Sequence, residues 1–175
     1  QIKIKRVPFA ELSQTECENL YSLYLTTIDK KQSHPYLTLG FFKEIPLQLQ
    51  DQGFALMAWK DSTLVAMAIY FESTHTLYGR HWGIYPQFAQ EYPFLHFELC
   101  VYYGIDYCLE NNLTTFEAGA QGEHKLRRGF DAVEILSAHH IKHPEFSAII
   151  ENFVLEQNKQ VSAEISHLKR FLPFK

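Results

Sequence analysis

The residues from Phe116 to Phe130, FEAGAQGEHKLRRGF, gather Glu117, Gln121, Glu123, His124, Lys125, Arg127 and Arg128 into one short stretch with Gly119, Gly122 and Gly129. Carboxylate, imidazole and cation thus crowd onto a backbone that glycine lets turn sharply. Such a set can move a proton between acid and base, and it can hold an anion. Lys125, Arg127 and Arg128 suit a phosphate or a carboxylate, arginine in the bidentate form. Gln121 can orient a carbonyl. The same composition also describes a charged, solvated surface helix, and residue types alone leave both readings open.

The elements that must position these groups can be read from the flanks. Leu113 to Glu117 is predicted as a short strand ending in a carboxylate, and Gly119 to Gly122 as a turn. Glu123 to Arg128 can form a turn or two of helix, with Glu123 at its positive end and Gly129 as the stop. His124 and Arg128, four apart, would share a face. A cluster directly after a strand end lies where open α/β sheets bind their ligands.

A second set lies in the helix predicted from Phe94 to Asn112, FLHFELCVYYGIDYCLENN. Its apolar residues run almost all the way round, which predicts a buried central helix. There Glu98 would be desolvated, which raises a carboxylate's pKa. His96, Cys100 and Tyr103 would share a face. The Cys–His pair has the form of a thiol nucleophile, and equally that of core packing. Gly104 weakens a helix interior, which predicts the close approach of a neighbouring strand or a ligand.

The remaining elements follow from pattern. Ile2 to Val7 alternates as a half-exposed strand. Ser13 or Thr15 caps a helix to about Lys31, and a second helix spans Gly40 to Leu49. Gly53 to Trp59, Thr63 to Glu72 and Thr76 to Tyr85 form an antiparallel meander. Pro86 to Pro93 is a loop. Ala132 to Lys142 is predicted as a further strand with His139, His140 and His143 at its end, and Pro144 to about Leu168 as a C-terminal helix. His124, His139 and Glu117 would be the metal-binding alternative, a hydrolase.

At 175 residues a single domain is expected, and the 46% hydrophobic content excludes a disordered chain. The net charge of −4 predicts no bulk attraction to nucleic acid or acidic membrane. No apolar run is long enough to span a bilayer. Of Cys17, Cys100 and Cys108, the latter two would lie about 12 Å apart along one helix, too far to bridge. Reduced thiols and a cytoplasmic setting are the expectation. Because the chain opens with Gln1 directly into a strand, it is expected to be the C-terminal part of something longer.

The order strand, two helices, meander, helix, strand, short helix, strand, helix is similar to the GNAT acyltransferase fold, a mixed α/β sheet with an antiparallel meander and a central helix. The segment from Tyr78-Gly79-Arg80-His81-Trp82-Gly83 through Glu117 to Arg128-Gly129-Phe130, continuing by Ser137-Ala138-His139 to Pro173-Phe174-Lys175, resembles the C-terminal half of the FemAB-like family. These are predicted N-acyltransferases of peptidoglycan biosynthesis or recognition. The resemblance implies a bacterial cytoplasmic domain that transfers an acyl or aminoacyl group to an amine of a small molecule, peptide or peptidoglycan precursor. It implies acyl-CoA or aminoacyl-tRNA as donor and a missing N-terminal half as partner; a non-catalytic recognition module of the same fold is the alternative. Ordinary acetyltransferases grip the CoA pyrophosphate with a glycine-rich loop before the central helix. Here no glycine lies between Gly83 and Gly104, which favours a Fem-like donor or none. Acyl transfer needs a neutral amine and a proton acceptor. On this reading Glu98, Glu117 and His124 are the catalytic candidates. His96, Tyr103, Gln121, Glu123, Lys125, Arg128 and His139 are the candidate substrate contacts.

Overall fold

A computed structural model of the chain describes residues 1–119 and 123–173, with the side chain of Glu123 left aside. Two compact units, Gln1–Gly119 and Ala120–Lys175, make up the chain.

In the first unit five strands form one sheet in the order β1-β2-β3-β4-β5. They are β1 (Ile2–Pro8), β2 (Gly53–Lys60), β3 (Thr63–Glu72), β4 (Thr76–Ile84) and β5 (Thr115–Glu117). The meander is antiparallel, and β5 joins β4 in parallel through Thr76–Thr115, Leu77–Phe116 and Tyr78–Glu117. Strands β2 and β3 are buried on both faces because each face carries its own helical layer. Ala55, Met57, Met67 and Ile69 pack with α1 (Gln14–Lys30) and α2 (Leu39–Gln48). Leu56, Ala58, Ala68 and Tyr70 pack with the central helix.

Ser13 caps α1. Its hydroxyl accepts from the Glu16 amide, and the Glu16 carboxylate accepts from the Ser13 amide, so two otherwise unsatisfied donors are paired. Across the sheet, the central helix runs as Leu95–Phe97, a π turn Glu98–Tyr102, and Tyr103–Glu110. The π turn has a visible cause. The buried Tyr70 hydroxyl donates to the Leu99 carbonyl, and the Tyr103 amide reaches back to Glu98. A side-chain donor entering the helix ladder displaces the ordinary pairing.

This helix is not buried all round. Leu95, Leu99, Gly104, Tyr107 and Cys108 face the sheet, while Phe94 and Leu109 are about three-quarters exposed. The apolar outer side chains misled the periodicity reading. Gly104 serves the strand approach: a Cβ there would stand 2.3 Å from Phe116 Cζ, so only glycine lets the β5 ring lie against the helix.

In the second unit, Glu123–Arg128 is a 3-10 turn ended by Gly129 at φ +88°, as the glycine stop predicts. Pro144–Leu168 is a 25-residue helix, its start capped by His143 Nδ1 accepting from the Phe146 amide. It has no buried residue; Phe146, Ile149 and Phe153 of its apolar stripe are all more than half exposed. The predicted strand from Ala132 to Lys142 does not form. Val133, Ile135 and Leu136 are exposed, and β propensity without a paired neighbour supplies no ladder hydrogen bonds. Among the described residues no helix is long and apolar enough to cross a membrane.

Candidate functional site

The first unit carries Glu117 to a definite place. Side chains alternate along a strand, and Phe116 belongs to the cluster on the central-helix face. Glu117 therefore faces the side of α1 and α2, at the last residue of β5. Its neighbour across the parallel pairing, Tyr78, lies on the same side, because Leu77 packs with the central-helix cluster.

Beyond Tyr78, β4 carries a bulge. Ile69 pairs with His81 and Tyr70 with Gly79, leaving Arg80 as the extra residue. A bulge re-aims the side chains that follow it. Before it, Leu77 and the α-carbon of Gly79 face the central helix. After it, Trp82 and Ile84 do so, and His81 turns to α1. The Arg80 guanidinium lies over the Tyr78 ring, 5.2 Å from its centroid. Its Nη1 donates to Glu117 Oε1 at 2.9 Å.

His81 sits between two tyrosines. Its ring is 5.4 Å edge-on from that of Tyr24 on α1 and 6.1 Å from that of Tyr36 in the α1–α2 connection. Tyr24 is fixed, since its hydroxyl accepts from the amides of Tyr36 and Leu37. Burial first, and then the Arg80 charge, hold the imidazole below the usual histidine range, so it is neutral at pH 7. Tyr36, Tyr78, Arg80, His81 and Glu117 thus form one patch of acid, cation, neutral base and aromatic rings. Sequence reasoning picked out only Glu117 from it. The available signal was Tyr78-Gly79-Arg80-His81-Trp82-Gly83, a polar pair inside a strand pattern.

Other candidates fall elsewhere. Glu98 opens the π turn and is exposed, so the desolvation expected of it does not occur. The His96 ring meets Trp82 edge-on at 5.2 Å and Phe97 at 5.3 Å. Tyr103 packs with Phe54 and Tyr107. Both rings thus have aromatic neighbours on the central-helix face.

In the second unit, His124, Lys125 and Arg128 share the 3-10 turn. The Arg128 Nη1 donates to the His124 carbonyl at 2.8 Å. Burial first, then Lys125 and Arg128, lower the His124 pKa. His139 is exposed, with its Nε2 3.0 Å from the Ser137 hydroxyl. Gln121 and the Glu123 side chain lie outside the described residues. Among the described residues of either unit, no three His, Cys, Asp or Glu side chains come together as a metal set.

The approach to the central helix bears on a nucleotide donor. Of its amides, those of Phe88, Ala89, Tyr92, Leu95, Phe97 and Glu98 are already bonded to nearby carbonyls. Pro86 and Pro93 have none to give. Glu91 stands among them, held by Lys60 at 2.7 Å and by the Tyr92 hydroxyl. With six amides bonded inside the protein and two prolines, this approach has fewer donors left for the usual amide grip on a CoA pyrophosphate.

Comparison with solved structures identifies the fold as GNAT-like. A possible acetyltransferase from Clostridium difficile 630 matches with TM-score 0.59 at 11% identity, over 81% of this chain and 99% of its own. The ribosomal-protein-alanine N-acetyltransferase of Brucella melitensis biovar Abortus 2308 matches with TM-score 0.52 at 17% identity, over 82% and 100%. The aminoglycoside N-acetyltransferase AAC(6')-Iy in complex with CoA matches with TM-score 0.54 at 14% identity, over 82% and 96%. At such identities the likeness is one of fold. No sequence among the curated proteins matches. A family described as peptidoglycan biosynthesis/recognition, FemAB-like, matches residues 1–175.

Proposed function

Because this chain belongs to the FemAB-like family, we propose that it transfers an acyl or aminoacyl group to an amine of a peptidoglycan precursor. The observation that carries this reading is the Arg80–Glu117 pair, where β5 ends and β4 runs on. An acceptor amine reaches the enzyme as an ammonium in part. A carboxylate at a strand end attracts it, and a guanidinium beside that carboxylate fixes its orientation. The Arg80 donors also suit the oxygen that gains charge as the acyl carbon becomes tetrahedral.

The bonded amides before the central helix favour a donor that is not held by its pyrophosphate. An ester donor of the aminoacyl-tRNA kind meets that condition, and so does a simple thioester. The same bonded amides also favour a second reading, a module that recognises a muropeptide without transferring anything to it.

The test is to incubate the full chain with a muropeptide bearing a free side-chain amine and, in separate reactions, alanyl-tRNA, acetyl-CoA and S-acetyl-N-acetylcysteamine. Acylation of the amine, read by mass spectrometry, is the expected result, and Glu117→Gln should lower it at least ~10-fold. Muropeptide binding by calorimetry with no transfer from any donor overturns the enzyme in favour of the recognition module. Neither binding nor transfer overturns both.

A further inference from the structure

His81 is so far only a neighbour of the Arg80–Glu117 pair. Three facts about it need one explanation. It follows the bulge residue directly, so the extra residue in β4 is what turns it to the α1 side, the side of Glu117. It is half-buried and, among the described residues, meets rings rather than hydrogen-bonding partners, Tyr24 on one side and Tyr36 on the other. And the two rings differ: Tyr24 is buried and pinned through its hydroxyl, while Tyr36 is 73% exposed. The imidazole therefore has a rigid wall behind it and a solvent-side ring in front.

Packing alone is served poorly by this arrangement. An imidazole placed beside a guanidinium resists protonation, and a half-buried position against two tyrosine rings is filled at lower cost by an apolar ring. A neutral imidazole at the margin of a patch with a carboxylate and a cation is instead what proton transfer requires.

We propose that His81 is the proton acceptor for the attacking amine, with Tyr24 fixed behind its ring and Tyr36 on its solvent side. This rests on the acyl-transfer reading above. In the step, the amine nitrogen's lone pair forms the new C–N bond to the acyl carbon of an ester or thioester donor. The carbon's bond to the oxygen or sulfur leaving atom breaks, and that atom departs with the electron pair. The amine proton passes to an imidazole nitrogen, and the imidazolium returns it to the leaving atom. Glu117, with one oxygen already bonded to Arg80, orients the amine and takes no proton.

The groups facing His81 are Tyr24 from α1, Tyr36 from the α1–α2 connection and Arg80 from its own strand. Among the described residues no carboxylate is one of the groups that shift its pKa, and Glu117 reaches it only by way of Arg80. The enzyme should therefore contribute one acid limb below the ordinary histidine value of about 6.5, separate from the limb at higher pH that belongs to the acceptor amine's own deprotonation.

The experiment measures kcat/KM against pH with S-acetyl-N-acetylcysteamine and the amine-bearing muropeptide, beside an NMR titration of the His81 imidazole. The native chain should give an acid limb that coincides with the imidazole titration. His81→Gln should lower kcat/KM by ~10²-fold or more and abolish that limb while its thermal melt shows a folded chain. Tyr36→Ala should leave the fold intact and move both limb and imidazole titration to higher pH, because water then reaches the ring. A His81→Gln chain that transfers at the native rate, or that keeps the limb, overturns the assignment while leaving acyl transfer standing. An imidazole titrating at or above the ordinary value overturns it whatever the turnover. If the native chain transfers nothing, the acyl-transfer reading falls and the role of His81 with it. If His81→Gln does not fold, the Tyr36→Ala shift decides: an unmoved limb rejects the proposal.

Discussion

Replacing Gly104 by alanine tests how the central helix and β5 are fitted together. The added Cβ would stand 2.3 Å from Phe116 Cζ and 2.5 Å from Cε1. Carbon atoms in contact rest about 3.5–4.0 Å apart, so ring and helix must separate by roughly 1.2 Å or more. Overpacking of this kind costs about 1–3 kcal/mol, and a misfit this large belongs at the upper end. Alanine recovers about 0.5–1 kcal/mol of helix propensity over glycine, so a net loss of about 2 kcal/mol is expected. For a chain of this size that is a fall of about 4–8 °C in Tm. Both tryptophans, Trp59 and Trp82, lie in the first unit, so denaturation followed by tryptophan fluorescence reads the right part of the molecule. Phe116→Leu removes the atoms that clash. In a double-mutant cycle the pair should be less destabilised than the sum of the single changes by about 2 kcal/mol. Additivity within about 0.5 kcal/mol would refute the steric account. Since Phe116 precedes Glu117, Gly104→Ala should also weaken any activity that depends on the Arg80–Glu117 pair.

Other outcomes follow from the same structure. Ser13→Ala removes one half of the capping box on α1 and should cost about 1 kcal/mol by urea denaturation. The Tyr107 phenol is pushed up to about 12, by burial first and then by its hydrogen bond to Glu72. Its folded pKa lies above the unfolded value of about 10, so its contribution is complete below that pH and is lost as pH rises toward 12. Tyr107→Phe should flatten the alkaline decline of the urea midpoint. For His81 the sign is opposite. A histidine whose folded pKa is depressed costs stability as pH falls below about 6.5, and His81→Gln should reduce that acid loss in the same melts. Finally, if the bonded amides before the central helix exclude a pyrophosphate grip, S-acetyl-N-acetylcysteamine and acetyl-CoA should differ little in KM; a KM for acetyl-CoA lower by ~10²-fold would show that the nucleotide is held after all.

Strands β2, β3 and β4 were legible to within a residue or so because turn residues bracket their apolar runs. Gly104 was legible too, since a glycine in so apolar a helix needs a neighbour that comes close. What could not be read depends on partners distant in sequence. The π turn requires Tyr70, twenty-nine residues before Leu99, and no local pattern announces it. The exposure of Glu98 depends on which side of an all-round apolar helix meets the sheet. The strand expected at Ala132 to Lys142 had the right composition and no ladder to join. Arg80 and His81 were visible as residues within the family-like segment, but their shared direction with Glu117 arises only from the bulge. Strict alternation would have sent one of them to the opposite face.

Where each side chain is anchored also decides what can be redesigned. Glu117, Arg80 and His81 hang from paired strands, so shifting any of them means re-registering β4 and β5 against the rest of the sheet. Tyr36 belongs to a short connection between two helices, and most of its ring faces solvent. Variation in what the molecule accepts should therefore come from the side chains of residues 33–36, which can change bulk while the Tyr36 and Leu37 amides keep Tyr24 in place, Leu37 stays on the core and Thr38 caps α2. A library confined to those side chains would alter ligand choice while leaving the melting behaviour nearly constant.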